Sequence, residues 1–122
     1  MYAAAACSIS NDSKKISSSN KITNADKFAF AETATVIINA AEERYIIDSL
    51  ENITSNCYTL QDLEEYVSFD LNKYDGVLIN TKSYGWEIYL TDGTLTINGK
   101  NAPVSGSDVI INGTLSTTSC NF

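Results

Sequence analysis

The sequence predicts an α+β fold in which one long N-terminal α-helix packs on a small antiparallel β-meander. Three observations lead to this fold class. Residues 24–45 carry apolar side chains at three- and four-residue steps, the period of an amphipathic helix. From residue 74 onward apolar and polar side chains alternate instead, as in half-buried strands. Asp-Gly pairs punctuate this second part, so the strands are expected to follow one another through short hairpin turns.

The long helix is predicted to begin at Thr23 or Asn24, because Thr23 and Asp26 have the spacing of a capping box. A helix from there to residue 50 is about 40 Å long. The residues expected on its inner face are Phe28, Phe30, Ala31, Ala34, Thr35, Ile37, Ile38, Ala41, Tyr45, Ile46 and Leu50. This stripe is either a groove for a partner or the cover of the chain's own sheet. The second interpretation is preferred, because packing onto the core is what stabilises most amphipathic helices.

Shorter elements are predicted after the long helix. Residues 52–58 are expected to form a loop, and residues 60–69 a short helix capped by Thr59. Four strands are predicted at residues 74–81, 84–90, 95–99 and 109–111. In the second strand, Trp86 lies on the apolar side of the alternation, so a core position is preferred over a sugar-stacking one.

The composition of the chain excludes several classes of function. The chain has 122 residues, of which 43% are hydrophobic, and this size fits one domain. Residues 1–22, rich in Ser, Asn and Lys, are expected to be a flexible segment, and residues 23–122 a globular unit. A net charge of −7 with a single arginine disfavours nucleic-acid binding. Because the chain has no histidine, it lacks the usual partner of a nucleophilic Ser or Cys, and we expect neither catalysis nor a cofactor.

Two groups of residues are candidate sites. Asp70, Asn72 and Asp75 supply oxygen ligands of the kind calcium prefers, although their spacing departs from the EF-hand pattern and an ordinary turn explains them equally. The cysteines are Cys7, Cys57 and Cys120. Either a Cys57–Cys120 bridge closes a long loop or all three are free thiols, since sequence alone does not give connectivity.

Residues 28–99 resemble the soluble headgroup of type IV pilins and pseudopilins, especially those of Gram-positive bacteria. Three stretches carry the resemblance: ATVIINAAEERYI (34–46), YTLQDLEEYV (58–67), and YDGVLIN followed by WEIYLTDGTLTING (86–99). AAAACSISNDSKK (3–15) is similar to the end of the family's N-terminal helix. The family's processing site and hydrophobic assembly helix are absent from the sequence, so the resemblance implies a truncated soluble portion, with residues 1–22 as a stub of that helix.

The resemblance implies a structural subunit of an extracellular filament that serves adhesion, motility, DNA uptake or secretion. Its partners would be other pilin subunits and a host or surface ligand, and it would meet the membrane only through the missing helix. Phe28, Ile38, Ala41 and Tyr45 would pack under the sheet, and Cys57–Cys120 would resemble the disulfide that pins a C-terminal loop. The alternative is a free-standing secreted module that binds carbohydrate or calcium. An enzyme is the third hypothesis, and the missing histidine disfavours it.

Overall fold

The computed structural model describes residues 22–83 and 85–120. The long helix is α1 (Asn24–Leu50), and the strands are β1 (Cys57–Thr59), β2 (Asp75–Asn80), β3 (Trp86–Thr91), β4 (Leu95–Asn101) and β5 (Ile110–Ile111). Three 3-10 turns lie at Gln61–Tyr66, Leu71–Lys73 and Gly106–Asp108. The α+β class, with one long helix and an antiparallel sheet, is confirmed. The expectation of a flexible segment or helix stub at residues 1–22 falls, apart from Ile22, outside the described residues, as does Tyr84 at the start of the second predicted strand.

Both ends of α1 are closed by hydrogen bonds. At the start, the Thr23 hydroxyl accepts from the amide of Asp26 at 3.2 Å, and the Asp26 carboxylate accepts from the amide of Thr23 at 2.9 Å, which confirms the predicted capping box. At the other end, the amide of Ile53 donates to the carbonyl of Asp48 at 2.9 Å, and Asn52 adopts a left-handed φ of 63°. This is the Schellman arrangement, which reverses the chain direction directly after the helix.

The inner face of α1 is centred differently from the prediction. Its buried residues are Phe30, Ala31, Ala34, Ile37, Ile38, Ala40 and Ala41. Phe28, expected on this face, is 60% exposed. The reason is geometric: at 3.6 residues per turn, Phe28 lies about 200° around the helix from the buried Phe30. The expected continuation at Ile46 and Leu50 is also wrong, because these side chains are 61% and 80% exposed.

The strands lie in the sheet in the order in which they occur in the chain, and all neighbours are antiparallel. The alternation predicted in β3 is confirmed, since Trp86, Ile88 and Leu90 are buried and the residues between them are partly exposed. The sheet has one strand more than predicted: β1 lies partly in the expected loop and pairs Cys57 with Ile79. The meander is therefore five strands wide.

The short helix predicted at residues 60–69 is a 3-10 turn over Gln61–Tyr66. Thr59 precedes it as expected. Its hydroxyl accepts from the amide of Asp62 at 3.2 Å, and the Asp62 carboxylate accepts from the amide of Thr59 at 2.9 Å. Helical segments this short commonly take the tighter 3-10 geometry, in which the few available hydrogen bonds form three residues apart.

Two glycines allow the central strands to pair closely. A Cβ at Gly76 would overlap the backbone carbonyl of Tyr89 on the neighbouring strand. Gly99, with φ of 77°, is the extra residue of a bulge, since Ile88 faces Lys100 while Tyr89 faces Asn98. A left-handed glycine at a bulge increases the local twist of the strand. Gly76 allows β2 to approach the backbone of Tyr89, and Gly99 allows β4 to approach its ring.

Candidate functional site

The contact between α1 and the sheet ends in a cluster of three aromatic rings, which we call the aromatic cluster: Tyr45, Tyr58 and Trp86. The ring of Tyr58 stacks on Trp86 with centroids 4.9 Å apart, and Tyr45 meets Trp86 edge-on at 5.8 Å. Aromatic pairs in these two geometries contribute about 0.5–1.5 kcal/mol each beyond the area that they bury. The cluster joins α1 and β1, which are consecutive in the chain, to β3, which comes later.

A polar network covers the outer side of the aromatic cluster. The Tyr58 hydroxyl donates to the Asp48 carboxylate at 2.8 Å, and Arg44 pairs with the same carboxylate at 3.4 Å. The Arg44 guanidinium also donates to the carbonyl of Asp62 at 2.6 Å and lies 5.5 Å from the centre of the Tyr58 ring. Burial, and then the hydrogen bond to Asp48, raise the pKa of Tyr58 well above its ordinary value. The network therefore holds a neutral tyrosine and the only arginine in fixed positions.

The structure places the residues predicted for helix–sheet packing as follows. Ile38, Ala41 and Trp86 belong to the core cluster, and Tyr45 is partly buried and packs against it. Phe28 does not belong to it, as its exposure shows. The Arg44–Asp48 pair has a local signal in the sequence, its spacing of four residues, but the role of Tyr58 has none. A tyrosine just before a helix cap gave no signal that its strand would lie beside Trp86.

The two cysteines Cys57 and Cys120 form a disulfide, with their Cα atoms 5.8 Å apart. The segment that leads to Cys120 runs from β5, at one edge of the sheet, to β1 at the other. On its way, the hydroxyl of Thr96 donates to the carbonyl of Gly113 at 3.2 Å, and the amide of Ser116 donates to the Asn98 side chain at 3.0 Å. We call residues 112–120 the C-terminal strap. It connects the two edges of the sheet.

Strand side chains under this part of the molecule are also buried. Val77 and Thr96 are almost fully buried, although Val77 lies outside the core cluster formed with α1. Nearby, the Tyr89 hydroxyl donates to the Glu87 carboxylate at 2.6 Å. This hydrogen bond and burial raise the pKa of Tyr89 to about 12. The sheet is therefore covered on both faces over part of its area, which the alternating pattern of β3 did not predict.

The calcium candidates lie around the second 3-10 turn. The Asp70 carboxylate accepts a hydrogen bond from the amide of Asn72 at 2.8 Å and so caps this turn. Asp75 is exposed at the start of β2. Within residues 22–83 and 85–120, no three His, Cys, Asp or Glu side chains are grouped as metal ligands. The turn that the sequence offered as the other interpretation accounts for Asp70.

A cleft with a volume of about 680 Å³ lies between the start of α1, the β3–β4 turn and β5. Phe30, Tyr74 and Leu95 contribute its apolar lining, and Asp26 and Asp92 its carboxylates. Both carboxylates serve the fold: Asp26 closes the capping box, and Asp92 accepts from the amide of Leu95 at 2.7 Å. The cleft thus offers apolar and acidic surface, and none of the described residues that line it is basic.

Comparison with known proteins finds no matching family model, curated protein or solved structure. Within the described part of the chain, no helix has both the length and the apolar character that crossing a bilayer requires. The functional interpretation therefore depends on the architecture and on the sequence resemblance to pilins.

Proposed function

We propose that this chain is the soluble head of a structural subunit in an extracellular filament of the type IV pilus or pseudopilus kind. The proposal rests mainly on one observation: a 27-residue helix lies against an antiparallel meander whose C-terminal strap is fixed by the Cys57–Cys120 disulfide. These are the parts, in the same order, that the resemblance to pilins implies. The proposal assigns structural roles to the residues and no catalytic step.

The disulfide supports an extracellular location. Disulfides persist in oxidising compartments and are rare in the reducing cytosol. In addition, no residue of the strap is buried, and the covalent link joins its end to β1. The partners of such a head are other copies of the same subunit and, at the exposed surface, a host or surface ligand.

The proposal is tested on cells that express the protein. Antibodies raised against residues 22–120 are expected to label sheared filaments along their length in electron micrographs, and deletion of the coding sequence is expected to remove the label. Serum depleted with the purified domain is the control. The native coding sequence is expected to encode a hydrophobic stretch of about 20 residues ahead of this domain. Recovery of the protein as a free monomer in the medium, with unlabelled filaments, would refute the proposal.

A free-standing secreted binding module is the second candidate, and the cleft next to Phe30 and Tyr74 is the observation that favours it. Its volume of about 680 Å³ is in the range of small-molecule sites. This candidate predicts that the isolated chain binds an oligosaccharide or Ca²⁺ in calorimetric titrations. Substitution of Tyr74 by Ala would then abolish the sugar heat, while substitution of exposed Val36 by Ala would leave it unchanged.

A further inference from the structure

The C-terminal end of α1 carries a group of exposed aliphatic side chains, which we call the helix-end patch: Ile46, Ile47, Leu50 and Ile53. Leu50 is 80% exposed and Ile46 61%, and at a spacing of four residues they lie on the same side of the helix. The Schellman turn folds Ile53 back beside the last turns of α1. Grouped exposed aliphatic residues of this kind mark surfaces that bind other proteins.

The rim of the helix-end patch carries an excess of acidic residues. Glu42, Glu43 and Glu51 are exposed, and the last turn of α1 contains no basic residue, although the exposed Lys82 lies beside Glu42 and Ile46. Among residues 22–83 and 85–120, the two side-chain ion pairs involve other carboxylates, those of Asp48 and Asp108. The negative end of the helix dipole adds to the same field. A partner for this surface must therefore combine an apolar side chain with positive charge.

The chain itself contains such a stretch. Lys14, Lys15 and Lys21 surround Ile16 in a segment with a single acidic residue, Asp12. Residues 1–21 thus have a net charge of +2. Since the whole chain carries −7, the remaining residues carry −9. We propose that the lysine-flanked Ile16 of one copy binds the helix-end patch of a second copy. This contact rests on the proposed function, for which it supplies an interface between subunits.

Distance makes the contact intermolecular. The helix-end patch lies at the far end of α1, whose 27 residues span about 40 Å. Ile16 precedes Ile22 by six residues, and a fully extended chain of that length spans about 20 Å. Ile46, the nearest residue of the patch, lies about 35 Å along α1 from the start of the helix. Ile16 of a copy therefore cannot reach the patch of the same copy, whereas Ile16 of a neighbour can. Because the two surfaces differ, each bound pair leaves one surface of each kind free, and further copies can add to either end of the pair.

The test measures self-association of the full 122-residue chain by sedimentation equilibrium. A Cys7→Ser background prevents intermolecular disulfides through this thiol. We expect concentration-dependent association that weakens about tenfold between 0.05 and 0.5 M NaCl, because salt screens exposed charges. Leu50→Gln and the double variant Lys14→Glu/Lys15→Glu should each weaken it by at least about tenfold. Ile110→Gln and Lys73→Glu, matched changes at other exposed positions, should leave it unchanged.

Mixing distinguishes this contact from a symmetric one. The Leu50→Gln variant keeps its lysines and the Lys14→Glu/Lys15→Glu variant keeps its patch, so together they should form a one-to-one dimer and nothing larger. A chain that stays monomeric at about 1 mM, or association that survives the lysine substitutions, overturns the inference. Circular dichroism melts of each variant exclude loss of folding. If filaments carry no label while this dimer forms, the proposed function fails and the contact stands. If filaments are labelled and the chain is monomeric, the proposed function stands and the contact fails.

Discussion

Removal of the Cys57–Cys120 disulfide gives the most quantitative prediction. The double variant Cys57→Ser/Cys120→Ser replaces both sulfurs with hydroxyls of similar size. The crosslink joins residues 63 positions apart, and in the chain-entropy model a loop of that length stabilises the folded state by about 4 kcal/mol. For a domain of this size, that loss lowers the melting temperature by about 15 °C.

The assay is urea denaturation followed by tryptophan fluorescence, because Trp86 is buried in the aromatic cluster. We expect the midpoint to fall and the unfolding free energy to drop by about 4 kcal/mol. Reducing the native protein with dithiothreitol should reproduce the effect, and Cys7→Ser should not. A double variant within 1 kcal/mol of the native protein would refute the reasoning, since it would mean that the loop is already constrained in the unfolded chain.

The remaining predictions concern single side chains. Trp86→Ala removes the ring that stacks on Tyr58 and should lower the unfolding free energy by about 3–5 kcal/mol. Because Trp86 is the only tryptophan, these urea titrations are followed by circular dichroism, and a loss below 1 kcal/mol would contradict the packing. Gly76→Ala places a methyl group on the Tyr89 carbonyl and should prevent folding. The control is Gly93→Ala, whose methyl group meets no atom within 4 Å. Because Gly93 has φ of 99°, this variant should lower the unfolding free energy by only about 1–2 kcal/mol. Equal melting temperatures for these two variants would refute the close approach. The folded state raises the pKa of Tyr89 to about 12. The neutral tyrosine should therefore stabilise the fold fully below about pH 10, and this stabilisation should be lost as the pH rises through 12. Tyr89→Phe should reduce the fall in the urea midpoint between pH 9 and 11.5, and an unchanged fall would contradict this.

Local signals in the sequence were enough for the elements whose hydrogen bonds are local. The capping box at Thr23 and Asp26 and the alternation from Trp86 to Leu90 depend on residues that are near in sequence, and both are confirmed. The strand β1 could not be found in this way. Its three residues are too few for the sequence to reveal a period, and they become a strand because β2 supplies their hydrogen-bond partners.

The error at Phe28 has a similar origin. Both Phe28 and Phe30 fit a helical period with the residues that follow, so periodicity alone allowed two centres for the inner face. The sheet decides between them, and it contacts the side that carries Phe30, Ala34 and Ile37. The network of Arg44, Asp48 and Tyr58 crosses from α1 to the strand that follows it, and only its part within the helix has a spacing that the sequence reveals.

The position of the disulfide has a mechanical consequence. Cys57 opens the sheet and Cys120 closes the strap, so every strand lies inside one covalent ring. Tension applied between α1 and the C-terminus passes directly from one cysteine to the other and bypasses the strands. The ring therefore prevents about 200 Å of backbone from extending under load. A pulled molecule can lengthen only through chain outside this ring, for as long as the sulfurs stay joined.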